Sequence, residues 1–201
     1  MTSAPPQQAP ARRLAVLLTA VFAPAHLVIV LLLVVGAASD PSAARGLGWG
    51  VLAALLVGVA PYGWVLLSVR QGRLASRHIP DRRQRLVPLA IAAGFAVAGA
   101  GLLAVLGAPR QVVALVVAML VGLGVTGTIT TRWKISIHAA VAAGTVTILA
   151  IVFGPALLAT AAVVPATGWS RVTLRDHTPA QVIVGAVLGS LIAATVFVGF
   201  R

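Results

Sequence analysis

The chain has 201 residues, of which 60% are hydrophobic and only 9% are charged. Soluble globular domains carry about 25% charged residues, so this composition excludes an ordinary soluble fold and predicts an integral membrane protein. The 15 Lys and Arg residues outnumber the 3 Asp and Glu residues, and Cys is absent. This excludes disulfides, thiolate metal sites and a carboxylate-rich metal cage. The excess of cations suits membrane lipids or a phosphate as partner, and we expect no nucleic acid, metal or cofactor.

Residues 1–11 are rich in Pro and Gln and predict a disordered tail, which leaves 12–201 as one transmembrane domain. A helix needs about 20 apolar residues to cross a bilayer. The apolar segments are 14–37, 49–69, 87–108, 111–131, 137–153, 156–168 and 180–200. The first is too long for a signal peptide, and Gly154-Pro155 breaks the region 137–168 into two short crossings or something less regular. The sequence therefore predicts an all-α polytopic bundle of about six to seven spans.

Glycines within the spans are expected to allow close helix packing. They include Gly94, Gly99, Gly101, Gly122 and Gly124.

Seven crossings would place the polar loops on the same side of the membrane as the N-terminus. These loops are 70–86, 132–136 and 169–179. Of the 15 basic residues, only Arg45, Arg110 and Arg201 fall on the other side, so the positive-inside rule predicts that the loops are cytoplasmic. Basic residues in these loops are interpreted in the first place as topology anchors or lipid contacts. This interpretation covers Arg70, Arg73, Arg77, Arg82, Arg132 and Lys134.

Three polar segments on this face are suited to hold and attack a phosphate. They are the segment from His78 to Arg85, the tripeptide Ser136-Ile137-His138, and Ser170-Arg171 followed after five residues by His177. An ionisable group in the middle of a bilayer costs about 3 kcal/mol, so such residues mark function. Helix N-termini, where His138 and His177 are expected, attract anions through their unpaired N–H groups.

With these residues the chain resembles the type 2 phosphatidic acid phosphatase (PAP2) superfamily of membrane phosphatases. That family carries the motifs Lys-x6-Arg-Pro, Pro-Ser-Gly-His and Ser-Arg-x5-His-x3-Asp. The third motif matches at Ser170, Arg171 and His177, and the second at Ser136 and His138. The second motif departs from the family at two positions, Ile135 for Pro and Ile137 for Gly. The resemblance implies a divergent, bacterial-type member in the cell membrane.

Three further positions depart from the family pattern. In the first motif Arg85 takes the Arg position, but Leu86 replaces the Pro and His78 stands in place of the Lys. Gln181 replaces the Asp that orients the nucleophilic histidine in the family. Gln can accept a hydrogen bond from Nδ1–H but cannot offset the charge of an imidazolium. Asp176, the neighbour of His177, is the alternative orienting group.

The resemblance implies a catalytic set of His177, His138 and Gln181. His177 would attack phosphorus to form a phosphohistidine, and His138 would protonate the leaving oxygen and then activate water. The implied phosphate-binding residues are Arg171, Arg85, Ser136, Ser170, His78 and Arg83. Phosphoryl transfer depends mainly on positioning and charge stabilisation, so this mechanism requires no metal.

The leading hypothesis is thus a metal-independent hydrolase of a lipid phosphate or diphosphate. The alternative is a non-catalytic relative that binds anionic lipid or a membrane partner, which Gln181, Ile135 and Ile137 favour. A small transporter is a third possibility, although the charges gather at one face rather than at mid-span. The sequence does not choose among lipid phosphates and does not reveal an oligomeric state.

Overall fold

The computed structural model describes residues 10–72 and 82–201, with side chains described for 10–72 and 87–201. All regular structure in these ranges is helical, which confirms the predicted all-α class. The helices are α1 (Pro10–Val21), α2 (Pro24–Ala38), α3 (Ala43–Ala54), α4 (Ala60–Arg70), α5 (Arg82–Val105), α6 (Arg110–Arg132), α7 (Ile137–Phe153), α8 (Val163–Thr173), α9 (Pro179–Ile192) and α10 (Val198–Phe200). A π-helical turn, Leu55–Val59, joins α3 to α4, and another, Ala193–Phe197, joins α9 to α10. Of the predicted disordered tail, residues 1–9 lie outside the described ranges, and α1 begins at Pro10.

In the described part of the chain, four continuous helical stretches are long and apolar enough to cross a bilayer. They are Ala43–Arg70, Val87–Val105, Arg110–Arg132 and Pro179–Phe200. The predicted segment 14–37 is divided into α1 and α2, which bend by 42° and make a fifth span only if counted together. Four or five such spans are fewer than the six to seven predicted.

The missing spans lie in the segment 137–168. α7 has 17 residues and is therefore about 25 Å long, shorter than the roughly 30 Å hydrocarbon core. The predicted helix over 156–168 is instead a 3₁₀-helix, Pro155–Ala162, that continues into α8. Gly154, with φ of 97°, ends α7 and separates it from the 3₁₀-helix. The break at Gly154 was predicted correctly. The helix before it is regular but short, and the segment after it is a 3₁₀-helix followed by α8 rather than one α-helical span.

The close packing that places the site occurs between α7 and α9. A Cβ on Gly185 would lie 2.5 Å from the carbonyl oxygen of Ser136, and one on Gly189 would overlap the carbonyl of Ala140. The contacts advance in the same direction along both helices, so α7 and α9 are parallel. Their N-termini therefore lie side by side, and the 3₁₀-helix and α8 bring the chain back to that end.

Most of the glycines that we expected at helix contacts do not lie at one. Only Gly99 among the five lies against another helix, where a Cβ would be 2.8 Å from the side chain of Val57. The other four would meet nothing within 4 Å. The expectation was wrong for these four because a glycine in an apolar helix does not reveal which face packs.

The buried core lies at the end of the bundle opposite to the N-termini of α7 and α9. Leu32 and Val35 near the end of α2, Leu115 near the start of α6 and Phe197 beyond α9 are all fully buried. Tight packing at this end anchors the helices.

Candidate functional site

The residues of the second motif form the start of α7. Ser136 is the N-cap and is fully buried, and its side-chain oxygen accepts a hydrogen bond from the N–H of Ala139 at 3.4 Å. Its own N–H donates to the carbonyl oxygen of Gln181 at 3.2 Å, which ties the second motif to the third. His138 lies half-buried in the first turn of α7. The structure therefore brings these two motifs to the same end of the bundle.

Ser170 and Arg171 occupy the last turn of α8, and both are buried. The hydroxyl of Ser170 donates to the carbonyl oxygen of Thr167 at 2.7 Å and accepts a hydrogen bond from the hydroxyl of Thr19 at 3.0 Å. Thr19 lies on α1, 151 positions away in the sequence. The sequence analysis missed it, because no motif marks a lone threonine in an apolar helix.

A tight turn leads from α8 to α9 and is built around the backbone of Arg171. Its carbonyl oxygen accepts hydrogen bonds from the N–H groups of Asp176 at 3.0 Å and His177 at 3.2 Å. The N–H of Arg175 donates to the carbonyl oxygen of Val172 at 2.9 Å. Together these bonds form a Schellman-type helix end, in which one residue adopts the left-handed conformation. That residue is Arg175, with φ of 57°.

The same turn places Asp176 against Arg171. Its carboxylate lies 2.9 Å from a terminal guanidinium nitrogen of Arg171. The Arg171 side chain is only 9% exposed, whereas that of Asp176 is 43% exposed. Asp176 is thus oriented towards the charge of the buried arginine.

Gln181 is the residue that holds His177. Its Oε1 lies 3.1 Å from Nδ1 of His177 and also accepts a hydrogen bond from the N–H of Thr178 at 3.2 Å. Because the backbone N–H can only donate, the atom facing it must be the amide oxygen of Gln181. In the neutral ring this contact places the proton on Nδ1 and leaves the lone pair on Nε2. The side chain of Thr178 accepts from the N–H of Gln181 at 3.4 Å, which completes a capping box at the start of α9.

His177 and Gln181 line an open pocket of about 460 Å³. The remaining lining residues are Lys134, Val172, Arg175, Asp176, Thr178 and Pro179. Lys134 and Arg175 bring two positive charges to this pocket, and neither was among the predicted phosphate-binding residues. The sequence could not single out Lys134 and Arg175 among the other basic loop residues. Their shared pocket depends on the fold, which brings the end of α6 next to the turn after α8.

The other predicted phosphate-binding residues have different positions. Ser136 and Ser170 are fully buried, and their hydroxyl groups stabilise helix ends, so their role as phosphate ligands stays a prediction. Arg83 and Arg85 lie in the first turn of α5, but their side chains are outside the described residues. His78 is also outside the described residues.

A second, apolar cavity of about 320 Å³ lies within the bundle. Along α7 its lining extends from Ile137, between Ser136 and His138, to Ile148. At a rise of about 1.5 Å per residue, this distance is roughly 16 Å. Pro88, near the start of α5, lines the same cavity. The cavity therefore begins beside the polar site and extends about half-way through a bilayer.

Comparisons of this chain with protein-family models, with curated proteins and with solved structures found no match.

Proposed function

We propose that this chain is a membrane phosphatase that hydrolyses a lipid phosphate or diphosphate through a phosphohistidine at His177. The observation that carries the proposal is the bond between Nδ1 of His177 and Oε1 of Gln181, at 3.1 Å. This contact supports the neutral tautomer in which Nε2 has the lone pair of a nucleophile, on a residue that lines a cationic pocket. The spacing of Ser170, Arg171 and His177, shared with the PAP2 superfamily, supports the same chemistry.

In the proposed reaction, Nε2 of His177 attacks phosphorus as the bond from phosphorus to the leaving oxygen breaks. His138 donates a proton to that oxygen and then accepts one from the water that hydrolyses the N–P bond. The guanidinium of Arg171 stabilises the equatorial oxygens, because its planar fork matches phosphate. The two steps return His177 and His138 to their starting protonation states. Arg85, Arg83, His78, Ser136 and Ser170 complete the proposed phosphate-binding set.

The apolar cavity supports a lipid as the substrate. A headgroup at His177 and a hydrocarbon chain in the cavity would occupy adjoining parts of the molecule, since Ile137 of the cavity adjoins Ser136 and His138. Its volume is near the lower end of the usual range for ligand pockets, about 300–1000 Å³, which suits one chain rather than two. We infer that α7 and the segment 155–173 enter the membrane from the cytoplasmic face and return to it, as in a PAP2-like core.

Binding of anionic lipid without catalysis is the second candidate function. It is favoured by the ion pair of Arg171 with Asp176, because a carboxylate already occupies the cation that a phosphoryl group would need. Gln181 stands where the PAP2 pattern has an Asp, and a neutral amide stabilises a charged histidine less than a carboxylate does.

Phosphate release in detergent distinguishes the two candidates. We expect the purified protein to release phosphate from a prenyl phosphate, a prenyl diphosphate or phosphatidic acid in the presence of EDTA. His177→Ala and His138→Ala should abolish it. A base-stable, acid-labile phosphohistidine, quenched in alkali and detected by its mass shift, should form in the wild type and be absent from His177→Ala. Release that both substitutions leave unchanged would contradict the proposed mechanism. Binding of these lipids without release would establish the second candidate.

A further inference from the structure

Two cations that the proposed mechanism does not use lie beside His177. Lys134 belongs to the segment between α6 and α7, and Arg175 to the turn between α8 and α9, yet both line the same pocket as His177. Arg171 differs from them, because it lies deeper and its charge is paired with Asp176 at 2.9 Å. The pocket is thus lined by two cations, and a third, Arg171, is buried and paired with the lining residue Asp176.

The backbone conformation of Arg175 indicates that an arginine at this position does not stabilise the fold. Its φ of 57° is in the left-handed region, where the Cβ of an L-residue crowds the following carbonyl. Glycine is the usual residue at this position of a Schellman turn, because it adopts that conformation without strain. Arg175 is exposed and forms no ion pair within the described residues. What it adds over glycine is a guanidinium at the pocket.

We propose that Lys134 and Arg175 form a second phosphoryl-binding site, so that the pocket takes a diphosphate in preference to a monophosphate. This inference rests on the proposed function for its chemistry. Nε2 of His177 would attack the terminal phosphorus, and the bond to the bridging oxygen would break with its electrons leaving on that oxygen. The leaving group is then the lipid monophosphate, whose new negative charge Lys134 and Arg175 stabilise. Water cleaves the phosphohistidine to give inorganic phosphate.

Lys134 and Arg175 would not stabilise the leaving group of a monophosphate substrate. Its leaving group is an alcohol, which needs a proton from His138 rather than a positive environment. A diphosphate releases a phosphate dianion, for which charge stabilisation is the main requirement. The two cations that share the pocket with His177, together with the buried Arg171, therefore match the diphosphate.

Binding of unreactive anions tests this site apart from catalysis. Full-length protein in neutral detergent would be titrated calorimetrically with methylenediphosphonate and with inorganic phosphate. We expect wild-type protein to bind the diphosphonate at least about tenfold more tightly, a difference typical of one or two charge-assisted contacts. Arg175→Gly and Lys134→Gln should each remove most of this difference and leave phosphate binding within about twofold. Arg175→Lys should restore part of it.

The melting temperature gives an independent readout of the same variant. Arg175→Gly should raise it, because glycine relieves the left-handed strain, while diphosphonate affinity falls. A merely structural arginine would not separate stability from binding in this way. Arg110→Gln, an arginine at the start of α6 and hence at the opposite end of that helix from Lys134, is the control and should change neither quantity.

The inference is overturned if wild-type protein binds the two anions equally, or if Arg175→Gly leaves their ratio unchanged. It is also overturned if Arg175→Gly weakens only binding to phosphatidylglycerol vesicles, since Arg175 would then contact membrane headgroups. Tight, Arg175-dependent binding of the diphosphonate without hydrolysis of any lipid diphosphate would support the second site and contradict the proposed phosphatase function.

Discussion

Oε1 of Gln181 lies 3.1 Å from Nδ1 of His177, the residue four positions earlier in the chain. The same oxygen accepts the N–H of Thr178 and so belongs to the capping box that starts α9. One amide therefore both begins the helix and orients the ring. Orientation of His177 is thus coupled to the integrity of the first turn of α9.

Replacing Gln181 should change turnover according to what the new side chain offers to Nδ1. Gln181→Glu keeps the length and both acceptor contacts and adds a charge, and charge-assisted hydrogen bonds are roughly twice as strong, so we expect kcat to rise by about three- to tenfold. Gln181→Leu keeps the volume but offers no acceptor, and kcat should fall by about 100-fold. Steady-state phosphate release from a lipid diphosphate measures both.

Gln111→Leu is the matched control for these variants, because Gln111 lies at the start of α6, at the end of that helix remote from the site. Its Oε1 is buried and has no hydrogen-bond partner among the described residues, so leucine should be tolerated without effect on kcat. Equal rates for Gln181→Glu, Gln181→Leu and wild-type protein would show that Gln181 does not orient the nucleophile.

Asp176→Asn should strengthen the binding of phosphate. The carboxylate lies 2.9 Å from Arg171 and competes with a phosphoryl group for its guanidinium. With that charge removed, we expect the inhibition constant of inorganic phosphate to fall by about three- to tenfold. Stability should also fall, because the substitution removes the counter-charge of a guanidinium whose side chain is only 9% exposed.

The chain provides a second ion pair as a control for Asp176→Asn. Arg45 and Asp40 lie 3.2 Å apart at the other end of the bundle, and the arginine of this pair is 71% exposed. Asp40→Asn should leave inhibition by phosphate unchanged. A similar effect of both substitutions would indicate a general change in surface charge rather than competition at Arg171.

The sequence predicted which residues belong to the candidate site, but it did not predict how they are arranged. Ser136 and Ser170 were recognised as motif residues, but only the fold shows that both are fully buried and hold helix ends. The neighbourhood of Lys134 and Arg175 depends on the parallel packing of α7 and α9, a long-range contact that no local pattern encodes. Gln181 was identified by its spacing, whereas the pairing of Asp176 with Arg171 follows from the turn at Arg175.

The fold was predictable where composition decides it and not where packing does. Hydropathy located α6 and α7 to within a residue or two, because an unbroken apolar run can only be helical in lipid. It could not predict the bend between α1 and α2 or the 3₁₀-helix after Gly154, since neither depends on hydropathy. Pro24 contributes to the first, because proline lacks an N–H to continue the preceding helix.

Thr19→Val should lower both stability and activity through Ser170. Valine keeps the shape of the threonine but cannot donate to the Ser170 hydroxyl, which lies 3.0 Å away. We expect a loss of about 1 kcal/mol in the free energy of unfolding, with a several-fold fall in kcat/KM as the last turn of α8 loosens around Arg171. Chemical denaturation in detergent and phosphate release measure the two effects.

Thr147→Val is the matched control for this prediction, because the hydroxyl of Thr147 donates to the carbonyl of Ala143 within its own helix. A double-mutant cycle of Thr19→Val with Ser170→Ala should show that the two effects are not additive. Additive losses would mean that α1 and α8 are not coupled through this bond.

Gly189→Ala should damage the site without touching any residue in it. The added Cβ would overlap the carbonyl of Ala140 and force α7 away from α9. Overpacking of this kind costs about 1–3 kcal/mol, and the separation would pull Ser136 from the carbonyl of Gln181. We therefore expect a lower melting temperature in detergent together with loss of phosphate release. Gly101→Ala, where a Cβ would meet nothing within 4 Å, should keep both at wild-type values. If Gly189→Ala melts as the wild type does, the parallel contact of α7 and α9 is not what holds the two motifs together.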